Sequence, residues 1–167
     1  MDSFQHVNNT VYFKYFEAGR LKYFDFIMSG VQADDPQGQL FDVNGWKSGS
    51  KIGPILASTE CSFKFPTTYP DQLLVGTSIP IPVSESEKYE YNKNSKRKYR
   101  LDHVIWSLKH QRVVATGSGS CVTYDYSNQK VVDMPDILYN VITKIQMKNN
   151  CHMLEQINKE TEIEDFY

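Results

Sequence analysis

Residues 2–24 read DSFQHVNNTVYFKYFEAGRLKYF, a carboxylate, a histidine and two asparagines ahead of an aromatic-laden segment. Tyr12, Phe16, Gly19, Tyr23 and Ile27 recur at steps of three and four, which is one face of a helix, and Asn8 or Asn9 suits its N-cap. Gly30 is the expected stop. Seven aromatic residues fall between positions 11 and 28, so the other faces are apolar as well. A helix apolar nearly all round belongs inside a fold and has to be covered by something.

The cover is supplied downstream. In ILASTECSFKF, residues 55–65, Ile55, Ala57, Thr59, Cys61, Phe63 and Phe65 alternate with Leu56, Ser58, Glu60, Ser62 and Lys64, the period of a half-buried strand. Residues 73–83 repeat the pattern through Leu73, Val75, Ile79, Ile81 and Val83, with Pro80 and Pro82 marking an edge or irregular side. Further strands are predicted over 99–109 and 112–125, joined by the polar turn at His110 and Gln111, and such short links imply antiparallel pairing. The Gly-, Asp- and Gln-rich stretch 31–54 reads as a long loop, and 135–148 as a second, weaker helix. The fold class is therefore α+β, an antiparallel sheet wrapped around one long buried helix. One domain spans 1–147, and 148–167 is a polar C-terminal tail.

Composition narrows the function. With 18 Lys and Arg against 20 Asp and Glu, the net charge is −2. A polyanion binder would carry a basic excess, so nucleic acid is not expected as a partner. No apolar run approaches the ~20 residues of a membrane span. Cys61, Cys121 and Cys151 are odd in number and contain no C-x-x-C pair, so neither a disulfide framework nor a zinc site is indicated. His103, His110 and His152 show no metal-ligand spacing. The expected setting is intracellular and reducing, either cytoplasmic or the mitochondrial matrix after removal of a targeting segment. GSGSC at 117–121 does not match the G-x-S-x-G elbow of serine hydrolases, and no phosphate-binding P-loop or dinucleotide fingerprint occurs.

The stretch D-S-F-Q-H-V-N-N-x-x-Y followed by F-E-A-G-R resembles the D-x-x-G-H-V-N-N-x-x-Y and E-x-x-R signature of the 4-hydroxybenzoyl-CoA thioesterase-like acyl-CoA thioesterases, which have the hot-dog fold. The resemblance runs on through GPILASTECSFKFP and ATGSGSCVTYD to the M-P-D at 134–136, so it covers most of the chain. Gln5 stands where the family has glycine, and the strand that normally precedes the aspartate does not occur before Met1. The resemblance implies hydrolysis of an acyl-CoA to free acid and CoA, with CoA as part of the substrate and no other cofactor. It also implies a homodimer or homotetramer. The alternative is an inactive hot-dog domain retained as a binding or structural subunit of a larger complex.

Thioester hydrolysis must stabilise negative charge on the carbonyl oxygen, and N–H groups at a helix N-terminus can do this with the help of the dipole. By the resemblance, the Asn9 N–H is the oxyanion donor, Asp2 is general base or nucleophile, and His6, Asn8 and Tyr12 shape the substrate pocket. Without the resemblance, Asn8 and Asn9 read simply as helix caps and Asp2 as a charge that favours the dipole. Glu17 lies eight residues beyond Asn9, about 12 Å along a helix, so it cannot act at its own helix mouth. It is a catalytic candidate toward a partner subunit, as in a related hot-dog clade, and otherwise pairs with Arg20 or a neighbouring strand. For CoA, Gly117, Ser118 and Gly119 are candidates for the pantetheine arm, because glycine permits close approach. Lys96, Arg97 and Lys98, within KNSKRKYR at 93–100, are candidates for the phosphates.

Overall fold

The computed structural model describes residues 6–80 and 97–148. Helix α1 spans Asn9–Asp34, and Asn8 caps it by accepting the Thr10 N–H on its side-chain oxygen at 2.9 Å. The expected stop at Gly30 does not occur. Gly30 keeps the helix going and lies so close to a later helix that an added Cβ would sit 2.7 Å from a methyl of Val141. Close packing, not chain reversal, is what the missing side chain provides.

The predicted loop 31–54 is shorter than expected. Asp35 accepts the N–H groups of Gln39, Leu40 and Phe41 at 2.7–3.0 Å and so folds the chain into a turn. Helix α2, Val43–Ser48, follows, with Asp42 as its N-cap and Gly49 in the left-handed conformation at its end. Strand β1 then starts at Ile52 and runs to Phe63, earlier at both ends than the alternation at 55–65 predicts. The early start places Pro54 inside an edge strand, where its missing donor is tolerated.

The remaining strands are β2, Leu73–Ser78, β3, Lys98–Ser107, β4, Arg112–Asp125, and β5, Lys130–Val131. Strand β2 stops before Ile79 and Pro80 rather than continuing to 83, and positions 81–83 lie outside the described residues. The sheet is antiparallel in the order β1-β4-β3-β2, with β5 added to β4. Helix α3 occupies 136–148 within the described residues, close to the predicted 135–148. The tail beyond 148 is outside them.

Two buried clusters line α1 in succession. Tyr12 and Phe16 pack with Ile105, Val114 and Ala115 of the sheet. Phe24, Ile27, Met28 and Val31 pack with Trp46 of α2, Leu101 of β3, and Leu138 and Val141 of α3. The helix is not covered on every side as its composition suggests: Phe13, Leu21 and Phe26 are 38%, 57% and 59% exposed. One sheet layer shields one side of a helix, and α3 and α2 reach only its second half.

Candidate active site at the helix mouth

The start of α1 opens into a cavity of about 400 Å³. His6, Asn9 and Tyr12 line one wall, and Phe63, Lys64, Phe65 and Thr67, from the end of β1 and the segment after it, line the other. The helix side follows from capping. Of the first helical donors, Thr10 N–H goes to the Asn8 side chain and Val11 N–H to the Asn8 carbonyl at 2.9 Å, which leaves the Asn9 N–H without an acceptor among the described residues. That donor carries the positive end of the helix dipole.

The opposite wall is built from non-local contacts that no motif announced. Lys64 and Phe65 both donate their backbone N–H to the Val114 carbonyl, at 2.8 and 3.1 Å. The Phe65 ring meets His110 at a tilt of 57°, ring centres 4.8 Å apart, and the Arg112 guanidinium lies 4.5 Å over its centre. Thr67 is fixed from two directions: its carbonyl accepts the Val7 N–H at 2.9 Å, and its hydroxyl bonds the Tyr12 hydroxyl at 2.7 Å with both side chains buried. Phe63 packs edge-on against Tyr12, ring centres 5.1 Å apart. Phe63, Phe65 and Thr67 went unread as site residues because they lie more than fifty positions from the motif. The alternation in β1 marks only which way they face.

Asn9, His6 and Tyr12 thus line one mouth, Asn8 caps the helix beside them without lining it, and Asp2 lies outside the described residues. Glu17 is exposed two turns further along α1 and forms no ion pair with Arg20 among the described residues. Gly117 faces the helix and is occupied by Phe16: a Cβ there would overlap that ring and come within 2.7 Å of the Glu60 carbonyl. Ser118 points to the other face of the sheet, donates to Glu60 at 2.6 Å, and lines with Gly119 and Arg100 a separate cleft of about 240 Å³. Arg97 is tied to Asp133 at 2.6 Å, and Lys98 sits at the β4 register position of Val122, seven residues and roughly 20 Å of strand from Ala115 beside the mouth. Lys96 lies outside the described residues. The structure therefore groups the described helix-mouth candidates and separates the glycine run, Arg97 and Lys98 from them.

Other reactive groups are elsewhere. Burial pushes the Cys121 thiol up to about 11, which keeps it protonated and unreactive. His103 packs flat against Phe16 at 4.8 Å and bonds Thr77 through Nδ1 at 2.9 Å, and burial first, then the Arg20 charge, lowers its pKa to about 4. Among the described residues no group of His, Cys, Asp and Glu is arranged to hold a metal, and no helix is long and apolar enough to cross a membrane.

The thioesterase-like superfamily matches residues 1–142. The chain belongs to that family. Its hot-dog fold is similar to that of a DHNA-CoA thioesterase from Staphylococcus aureus, with a TM-score of 0.61 at 18% identity over 90% of this chain and 85% of the other. It is also similar to a thioesterase from Thermus thermophilus solved with coenzyme A and Zn, at TM-score 0.58 and 20% identity over 85% and 87%. A 1,4-dihydroxy-2-naphthoyl-CoA thioesterase from Synechocystis gives 0.59 at 14% identity over 87% and 89%. At such identities the likeness establishes the shared fold. No curated protein matches the chain. Membership of the thioesterase-like family places the chain among the thioester hydrolases.

Proposed function

We propose that the helix-mouth cavity is where this thioesterase-like chain cleaves its acyl-CoA. The observation that carries the reading is the Asn9 N–H, a donor with no acceptor among the described residues, at the dipole's positive end and beside a cavity walled by His6 and Tyr12. The thioester carbonyl oxygen accepts that N–H, and the negative charge that develops there is held by a group needing no reorganisation. Asp2, seven residues earlier in the chain, takes a proton from water as it attacks the carbonyl carbon, or attacks that carbon itself. The carbon–sulfur bond then breaks and CoA leaves as its thiolate; where Asp2 is the nucleophile, water afterwards hydrolyses the acyl–Asp2 anhydride to free acid and restores the carboxylate. CoA enters as part of the substrate, and the reading uses no other cofactor.

A homo-oligomer fits this chemistry. Phe13 and Leu21 on α1 flank Glu17, and all three are exposed, so a second copy seated on that strip receives the Glu17 carboxylate at the subunit junction. The free thiols of Cys61 and Cys121 fit a reducing compartment, cytoplasmic or mitochondrial.

The test is a panel of short, long and aromatic acyl-CoAs with release of free thiol followed. Asp2→Asn keeps shape and removes basicity, and should lower the chemical step by on the order of 10²–10⁴ while substrate still binds. A larger loss in Glu17→Gln would move the catalytic role to the partner-facing carboxylate. If the folded wild-type chain hydrolyses none of the panel, the reading fails, and a non-catalytic subunit of a larger complex becomes the account.

A further inference from the structure

We infer that Lys64 and Arg112, on the rim of the helix-mouth cavity, receive the phosphates of the coenzyme A portion of the substrate; the inference rests on the thioesterase reading. The described cations differ in what already holds them. Lys51, Arg97, Arg100 and Lys144 are each paired with a carboxylate, Asp42, Asp133, Asp102 and Asp34, at 2.6–2.8 Å. All four lie away from the mouth. Lys64 lines the cavity, is exposed, and makes no ion pair among the described residues. Among the described residues Arg112 makes no ion pair and lies over the face of Phe65, itself a lining residue, at 4.5 Å.

The arrangement suits an anion. A guanidinium lying over an aromatic face keeps its in-plane N–H groups outward, and those are the donors that grip phosphate two at a time. Lys64 adds a mobile point charge on the same wall. The wall is anchored by the bonds of Lys64 and Phe65 to Val114, so both charges hang on fixed backbone. Lys109 stands at the edge of the rim, its ammonium 3.4 Å from the Thr68 hydroxyl. The nearby carboxylate, Asp71, is already committed, accepting the Ser107 hydroxyl at 2.6 Å and the Lys109 N–H at 3.2 Å. What sets Lys64 and Arg112 apart from other cations without an ion pair among the described residues is their place: one lines the cavity and the other lies over a lining ring, on the same wall.

Calorimetric titration of the full chain with CoA and with pantetheine, which lacks phosphate, tests this. Lys64→Gln with Arg112→Gln should weaken CoA about tenfold, less at high salt, and leave pantetheine unchanged. Lys64→Gln alone, which spares the Phe65 contact, should give part of the loss. Unaltered CoA affinity in the double variant overturns the inference, as does equal weakening of both ligands, or a loss produced instead by Arg97→Gln with Lys98→Gln. If the chain hydrolyses thioesters while the double variant binds CoA normally, only the rim assignment falls. If the wild type binds no CoA and hydrolyses no thioester, both readings fall together.

Discussion

Thr67 and Tyr12 share one buried hydrogen bond of 2.7 Å, and it joins the two walls of the cavity. Both side chains are almost without solvent, 1% and 3% exposed, so removing one partner strands the other hydroxyl. Thr67→Val should therefore cost about 1–3 kcal/mol in urea denaturation, and Thr67→Ser should restore most of it. Tyr12→Phe combined with Thr67→Val should cost less than the sum of the two single changes, because the pair is then replaced rather than broken. Turnover should fall in Thr67→Val and recover in Thr67→Ser, since the bond spaces the wall from the Asn9 N–H. Half of this site was legible in the sequence. Asn8, Asn9, His6 and Tyr12 fall within one motif, where capping rules and helical spacing apply directly. Thr67 carries no local signal, for its role exists only once position 67 has been brought beside position 12.

The same limit shows among the elements. Strand β4 appears where alternation and a polar turn place it, and α3 within one residue of expectation. Gly30 misled because glycine has two uses, ending a helix or letting another helix come close, and only the presence of Val141 decides between them. His103 is a comparable case on β3. Its position on the inner face is readable from the pattern of Tyr99, Leu101 and Ile105, but not its packing beneath Phe16 or the nearness of Arg20. The packing sets a pH dependence. His103 stays neutral in the fold down to about pH 4, whereas in the unfolded chain it takes up a proton below roughly pH 6.5. The unfolded state thus binds more protons between those limits, and stability present above pH 6.5 is lost as pH falls toward 4, by up to about 3 kcal/mol. Urea midpoints at pH 7 and pH 4.5 should fall further for the wild type than for His103→Gln, in which that position no longer titrates. An equal fall in both would show that other groups govern the acid limb.

At the scale of the molecule, one sheet layer leaves one side of α1 exposed. Phe13 and Leu21 on the helix are exposed, as are Leu56 and Phe63 on β1, which is an edge strand among the described residues. Such an edge invites pairing with another chain. Sedimentation at micromolar concentration should show a homo-oligomer, and Leu21→Glu should shift it toward monomer by removing burial worth about 1.5–3 kcal/mol and adding a charge. A wild-type monomer under those conditions would contradict the expectation. The succession of two buried clusters along α1 has another effect, on motion rather than assembly. Because Tyr12 and Phe16 are held by the sheet while Phe24 to Val31 are held with α2 and α3, the two ends of a single helix are secured by different neighbours. Fluctuations that lift α3 away loosen the far end of α1 and leave the near end, with the Asn9 N–H, seated on the sheet, so the proposed reaction centre is insulated from breathing elsewhere in its own helix.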